Sequence, residues 1–162
     1  MLQSYAFYNL KPNDFTIFFH SNVILGIYGD ETEFEKFVMK FKDDAERKQD
    51  LQVILNAIQK MFSASGFLER YFRLEGRMQD HMVALPIERG KLRLYCLRMS
   101  DSVLIVGNGG IKNTRTYDED ADLSGYVITL QKLDALLKEA IKSGIVSIGE
   151  TNITGTENSF EL

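Results

Sequence analysis

Three strand-length apolar segments in close succession constrain the fold of this chain most. They lie at residues 82–88 (MVALPIE), 91–99 (KLRLYCLRM) and 102–107 (SVLIVG). Each is rich in β-branched, aliphatic or aromatic residues and is bounded by turn chemistry. Arg89-Gly90 separates the first pair and Ser100-Asp101 the second. Connections this short cannot carry a parallel crossover, so the three segments must run as an antiparallel meander. In LRLYCLR the side chains of Arg93, Tyr95 and Leu97 point to one face, and those of Leu92, Leu94, Cys96 and Arg98 to the other. The second set is mostly apolar and is expected to face the core. That would leave Arg93 and Tyr95 on the opposite face, within reach of a ligand.

The flanking sequence adds helices. Residues 15–20 (FTIFFH) and 23–28 (VILGIY) read as a hairpin or one bent strand, with Ser21-Asn22 between them. Asp30 or Thr32 is placed to cap a helix beginning near Glu33. Its Phe34, Phe37, Val38 and Phe41 fall on one face. A second helix is expected over 45–62, with Leu51, Ile54, Leu55, Ile58 and Met61 or Phe62 as its apolar stripe, broken by residues 63–66. Residues 67–79 read as a short helix or irregular segment leading to a strand. A third helix is expected over 123–143, capped by the acidic run Asp118, Glu119, Asp120 and Asp122 and stopped by Gly144. The last residues, 145–162, read as one short strand (IVSI) and a partly mobile end. The order is an N-terminal strand or hairpin, two helices, an antiparallel meander and a C-terminal helix, an α+β fold. At 162 residues, with two prolines and no Gly/Ser linker, residues 1–162 are expected to form a single domain.

Composition limits the partners. The chain carries a formal net charge of −4, which argues against binding nucleic acid over its whole surface. Between Met61 and Tyr117, however, cations outnumber anions. Cys96 is the only cysteine, so no intramolecular disulfide can form. Its place in an apolar run points to an inert thiol in a reducing compartment. No apolar run is long enough to span a bilayer, and the N-terminus lacks the pattern of a signal peptide. A cytoplasmic protein is expected.

The basic and aromatic residues concentrate in GKLRLYCLRMSDSVLIVGNGGIKNTRTY, residues 90–117: Lys91, Arg93, Tyr95, Arg98, Lys112, Arg115 and Tyr117. This segment, with the element order above, resembles the RelE/HigB-like toxins of bacterial toxin–antitoxin pairs. The residue-level likeness covers about residues 84–120. The resemblance implies a cytoplasmic, metal-independent endoribonuclease that cuts mRNA, often on the ribosome, needs no cofactor and is silenced by an antitoxin protein. It implies that Arg93 contacts the scissile phosphate, that Lys112 is the lysine after the apolar strand, and that Arg115 or Tyr117 serves near the C-terminal helix. Arginine does not lose its proton, so Arg93 would clamp phosphate. Proton transfer would fall to Lys112 or Tyr117. Lys91, Tyr95 and Arg98 would bind RNA, with Tyr95 or Tyr117 stacking on a base.

A second reading keeps the fold without the chemistry. Active members of the family are usually basic and this chain is acidic. Lys112 is followed by Asn113 where a second lysine is common. A catalytically inactive toxin-like module that binds a helix-turn-helix antitoxin or another regulator fits these departures. A third reading is an anion-binding domain that uses the amides of Gly107-Asn108-Gly109-Gly110, although a tight turn or bulge is the simpler role for those glycines. His20 and His81 are the only histidines. Neither has a cysteine or carboxylate at metal-ligand spacing, so no metal site is expected.

Overall fold

The computed structural model describes the backbone of residues 16–19, 23–25, 31–76, 80–149 and 153–154, and side chains over 31–76 and 80–149. The chain is α+β, ordered β1 (Thr16–Phe19), β2 (Val23–Leu25), α1 (Glu33–Phe41), α2 (Lys48–Lys60), β3 (Arg73–Leu74), β4 (Met82–Pro86), β5 (Leu92–Arg98), β6 (Val103–Ile111), α3 (Ala121–Lys142), β7 (Ser147–Ile148) and β8 (Ile153–Thr154). The first six strands form one sheet in the order β2-β1-β6-β5-β4-β3, antiparallel at every pairing. The meander forms as expected, and β1 with β2 makes the hairpin. The outer ends of the two N-terminal segments, Ser21-Asn22, Asp30, residues 77–79 and most of the tail lie outside the described residues. From the tail, β7 pairs with β8.

Local chemistry sets the helix ends. Thr32 caps α1 through a reciprocal box: its Oγ1 accepts from the Glu35 amide at 3.1 Å, and its own amide donates to Glu35 Oε2 at 2.7 Å. Asp120 caps α3 by accepting from the amides of Asp122 and Leu123, both at 3.0 Å. Gly144 takes φ +74 after α3, and the Ile145 amide donates back to the Ala140 carbonyl at 2.9 Å, a glycine-terminated helix stop. α2 begins three residues later than its periodicity suggests and runs on through a wide turn at Met61–Ser65. Residues 69–71 make a short 3₁₀ turn before β3, as the irregular pattern there suggests.

The expectation that fails is a sheet with one covered face. α1 and α2 pack on one side, burying Phe37, Phe41, Leu51, Ile54 and Ile58 against Val83, Leu85, Leu92, Leu94, Cys96, Leu104 and Val106. On the other side α3 buries Leu123, Val127, Leu130, Leu133 and Leu137 against Met82, Ala84, Tyr95, Leu97, Val103 and Ile105. Both parities of β5 therefore face a core. A strand buried on both faces reads as a continuous apolar run, as LRLYCLR, MVAL and VLIV do.

The third strand also runs longer than expected. It continues through Gly107-Asn108-Gly109-Gly110, which pairs with β5: Arg93 opposes Gly110 and Leu94 opposes Gly109. Between Leu94/Gly109 and Cys96/Val106 the register shifts, so Gly107 and Asn108 together oppose Tyr95, a bulge. A Cβ at Gly109 would lie 2.0 Å from the Arg93 carbonyl oxygen, so only glycine allows this approach. The Gly109 amide is taken by Asn108 Oδ1 at 2.8 Å. These glycines build the sheet and do not form an open anion cradle, which corrects the third reading.

Candidate functional site

Strand register decides which of the expected site residues can meet. Lys91, Arg93 and Lys112 share one end of β5 and β6: the Lys112 amide donates to the Lys91 carbonyl at 2.8 Å, and Lys91 Nζ donates to Asn113 Oδ1 at 3.4 Å. Arg98 lies five residues along β5 from Arg93, ~17 Å away at the rise of a strand. There its Nε donates to the Phe67 carbonyl at 2.6 Å and its guanidinium pairs with Asp101. Arg98 therefore holds the β5–β6 turn and does not join the other cations.

The cations that do gather are mostly engaged. Arg93 Nη1 donates to the carbonyls of Gly90 at 3.1 Å and Leu92 at 2.8 Å. Lys112 Nζ sits 3.5 Å from Glu75 Oε1, with both side chains largely buried (17% and 11% exposed). Tyr117 is half-buried against the core under α3. Lys91 and Arg115 are exposed, and Arg115 makes no ion pair among the described residues.

Tyr95 requires a correction. It is 0% exposed, inside the α3-side core, and no base can stack on it. The face opposite Leu94 and Cys96 is not open to solvent, because α3 covers it. The Tyr95 hydroxyl and Arg93 Nε are both buried without a hydrogen-bond partner. Burial, reinforced by the Glu75 carboxylate, pushes the Tyr95 phenol well above its ordinary value. The Cys96 thiol is likewise pushed far up by burial and is inert as expected.

A second polar cluster was not visible in the sequence. Asp134, in the middle of α3, is 1% exposed among Leu130, Leu133 and Leu137. Its Oδ1 lies 2.7 Å from Nδ1 of His81, and its Oδ2 accepts the His81 amide at 3.0 Å and Lys138 Nζ at 2.9 Å. Burial alone would raise the Asp134 carboxyl. The hydrogen bonds from the His81 ring, Lys138 and the His81 amide outweigh it and hold the carboxyl below its ordinary value. The His81 carbonyl accepts the Arg98 amide at 2.9 Å, so the residue is fixed at both backbone and side chain. His81 lines a cavity of about 650 Å³ with Met99, Ser100, Asp101, Ser102, Ile141, Ile148 and Gly149. His81 and Asp134 are separated by 53 positions in the chain, so no local motif announces them. The one available signal is an aspartate at a core-facing position of a helix stripe, which must find donors or be expelled.

No family model, curated protein or solved structure matches this chain. Among the described residues, no group of three or more histidine, cysteine or acidic side chains is placed to hold a metal ion, and no helix is long and apolar enough to cross a membrane.

Proposed function

We propose that this chain is a RelE/HigB-like protein-interaction module of the cytoplasm. Its partner would be a helix-turn-helix antitoxin or another regulator, and mRNA cleavage would not be its task. The likeness of residues 84–120 and the element order support the family. The internal engagement of the two residues the chemistry would need most supports the module reading. Arg93 donates to two backbone carbonyls and Lys112 pairs with Glu75. A phosphate would have to displace these partners before either residue could stabilise a transition state.

The endoribonuclease reading keeps one observation in its favour. Lys91, Arg93 and Lys112 do meet at one end of the sheet, and Tyr117 and Asp120 lie close enough to Tyr95 to act on it electrostatically. In that reading Arg93 and Lys112 stabilise the phosphate, and Arg115 or Tyr117 completes the site.

The test is induction of the chain alone in a bacterial host, beside an Arg93→Ala/Lys112→Ala variant shown to be folded. The module reading expects neither to arrest growth, and expects the wild type to co-elute with the helix-turn-helix protein of an adjacent gene. Growth arrest by the wild type and not by the variant would overturn it in favour of mRNA cleavage.

A further inference from the structure

The cavity beside His81 has the features of a small-molecule site at the end of the sheet remote from the Arg93–Lys112 cluster. It is a hollow of about 650 Å³ open to solvent on one side, roomy enough for one face of a small ligand to lie against its wall. Its walls combine the apolar side chains of Met99, Ile141 and Ile148 with the hydroxyls of Ser100 and Ser102 and one imidazole. That ring is oriented from behind. Asp134 accepts from Nδ1, so the neutral imidazole keeps its proton there and presents the Nε2 lone pair on its opposite edge. Nε2 has no partner among the described residues, and the side chain is 35% exposed.

These features select a ligand class. A lone-pair acceptor at the wall requires a hydrogen-bond donor on the ligand. Apolar walls require an apolar body, and the Met99 thioether favours an aromatic one. Among the described residues no lysine or arginine lines the cavity and one carboxylate, Asp101, does, so an anion is disfavoured. We propose that the cavity binds a small neutral aromatic alcohol of the phenol class, its hydroxyl donating to Nε2 of His81 while Met99, Ile141 and Ile148 cover its ring. His81 is then the contact residue and Asp134 the positioning residue that fixes the tautomer.

The probe is p-cresol, a phenol that stays neutral up to about pH 10, added to the full chain at about pH 8. Binding is followed by equilibrium dialysis and by the ring resonances of His81, one of only two histidines. Single-site saturation with a shift of the His81 resonances is expected. Loss of one buried hydrogen bond in His81→Phe should weaken binding about tenfold. Ile141→Glu, at a position exposed enough to accept charge, should abolish binding with His81 and Asp134 both unaltered, and so decides the matter if His81→Phe does not fold. p-Methylbenzoate, of similar size but anionic, should bind at least about tenfold more weakly, since it meets no cation among the described lining residues. Absence of saturation, unchanged binding in folded Ile141→Glu, or tighter binding of the benzoate would overturn the proposal.

Discussion

At the scale of single residues, Tyr95 shows how a sequence pattern can be legible and still be misassigned. Alternation along LRLYCLR correctly separates its two faces. The same run carries Tyr95 and Leu97 on one parity and Leu92, Leu94 and Cys96 on the other, which is the mark of a strand covered on both sides. The presence of Arg93 on the Tyr95 face makes that face read as solvent. Arg93 instead folds back onto the carbonyls of Gly90 and Leu92 at the strand's end, so a charged residue there reports the edge of the core and not an open face. The Tyr95 hydroxyl is left buried without a partner, and an unsatisfied hydroxyl costs stability that a hydrogen of the same ring does not. Tyr95→Phe should therefore raise stability by about 1 kcal/mol in denaturant melts. A loss of that size would mean that the hydroxyl finds a partner in solution. The pairing of His81 with Asp134 is not legible in the sequence beyond the place of Asp134 on the apolar stripe of its helix. Their meeting depends on α3 crossing the sheet over the start of β4, and no spacing within either segment encodes that.

Elements carry the clearest sequence signals and one instructive extension. The hairpin, the helix starting at Glu33, the meander and the capped C-terminal helix all follow from periodicity and terminal chemistry. The end of β6 does not, because Gly107-Asn108-Gly109-Gly110 reads as punctuation and is instead a strand with a bulge. Three contacts keep it in place. Asn108 Nδ2 donates to Glu33 Oε2 at 2.9 Å, and Lys40 Nζ donates to the Gly109 carbonyl at 3.2 Å and to the Tyr126 hydroxyl at 2.8 Å. α1 and α3, on opposite faces of the sheet, thus hold the bulge between them. The requirement for glycine is positional. A methyl group at Gly109 meets the Arg93 carbonyl, whereas one at Gly125, in the exposed part of α3, meets nothing within 4 Å. Gly109→Ala should lower stability by about 2 kcal/mol or more through forced backbone displacement. Gly125→Ala should raise it by about 0.5–1 kcal/mol through helix propensity. Thermal melts of the two variants read both, and shifts in the same direction would show that the bulge relaxes around a side chain.

For the whole molecule, the consequence of a doubly covered sheet is that each helical layer is stabilised by the same strands. β4, β5 and β6 supply one parity to α1 and α2 and the other to α3. The α3-side core contains a single buried ionisable carboxylate among the described residues, Asp134. It ties α3 to the start of β4 by its bonds to the His81 amide and ring, with Lys138 on the same helix. Asp80 and Lys132 line the adjoining groove, and Asp80 accepts from Gln131 at 3.1 Å. A carboxyl held below its ordinary value in the folded chain binds fewer protons there than in the unfolded chain. It therefore adds stability above about pH 4, where the unfolded-state group is also ionised. That contribution drains away as pH falls through the folded-state value. Asp134→Asn keeps the shape and removes the ionisation, at a cost of about 2 kcal/mol at neutral pH for hydrogen bonds to a charged acceptor. Urea melts of wild type and variant across pH 7 to pH 3 should show a gap that is full at neutral pH and narrows below about pH 4. If the gap stays constant over that range, the bonds at Asp134 owe nothing to its charge. The tie between α3 and the sheet would then be one of shape alone, with no reason for the chain to keep a carboxylate there instead of an amide.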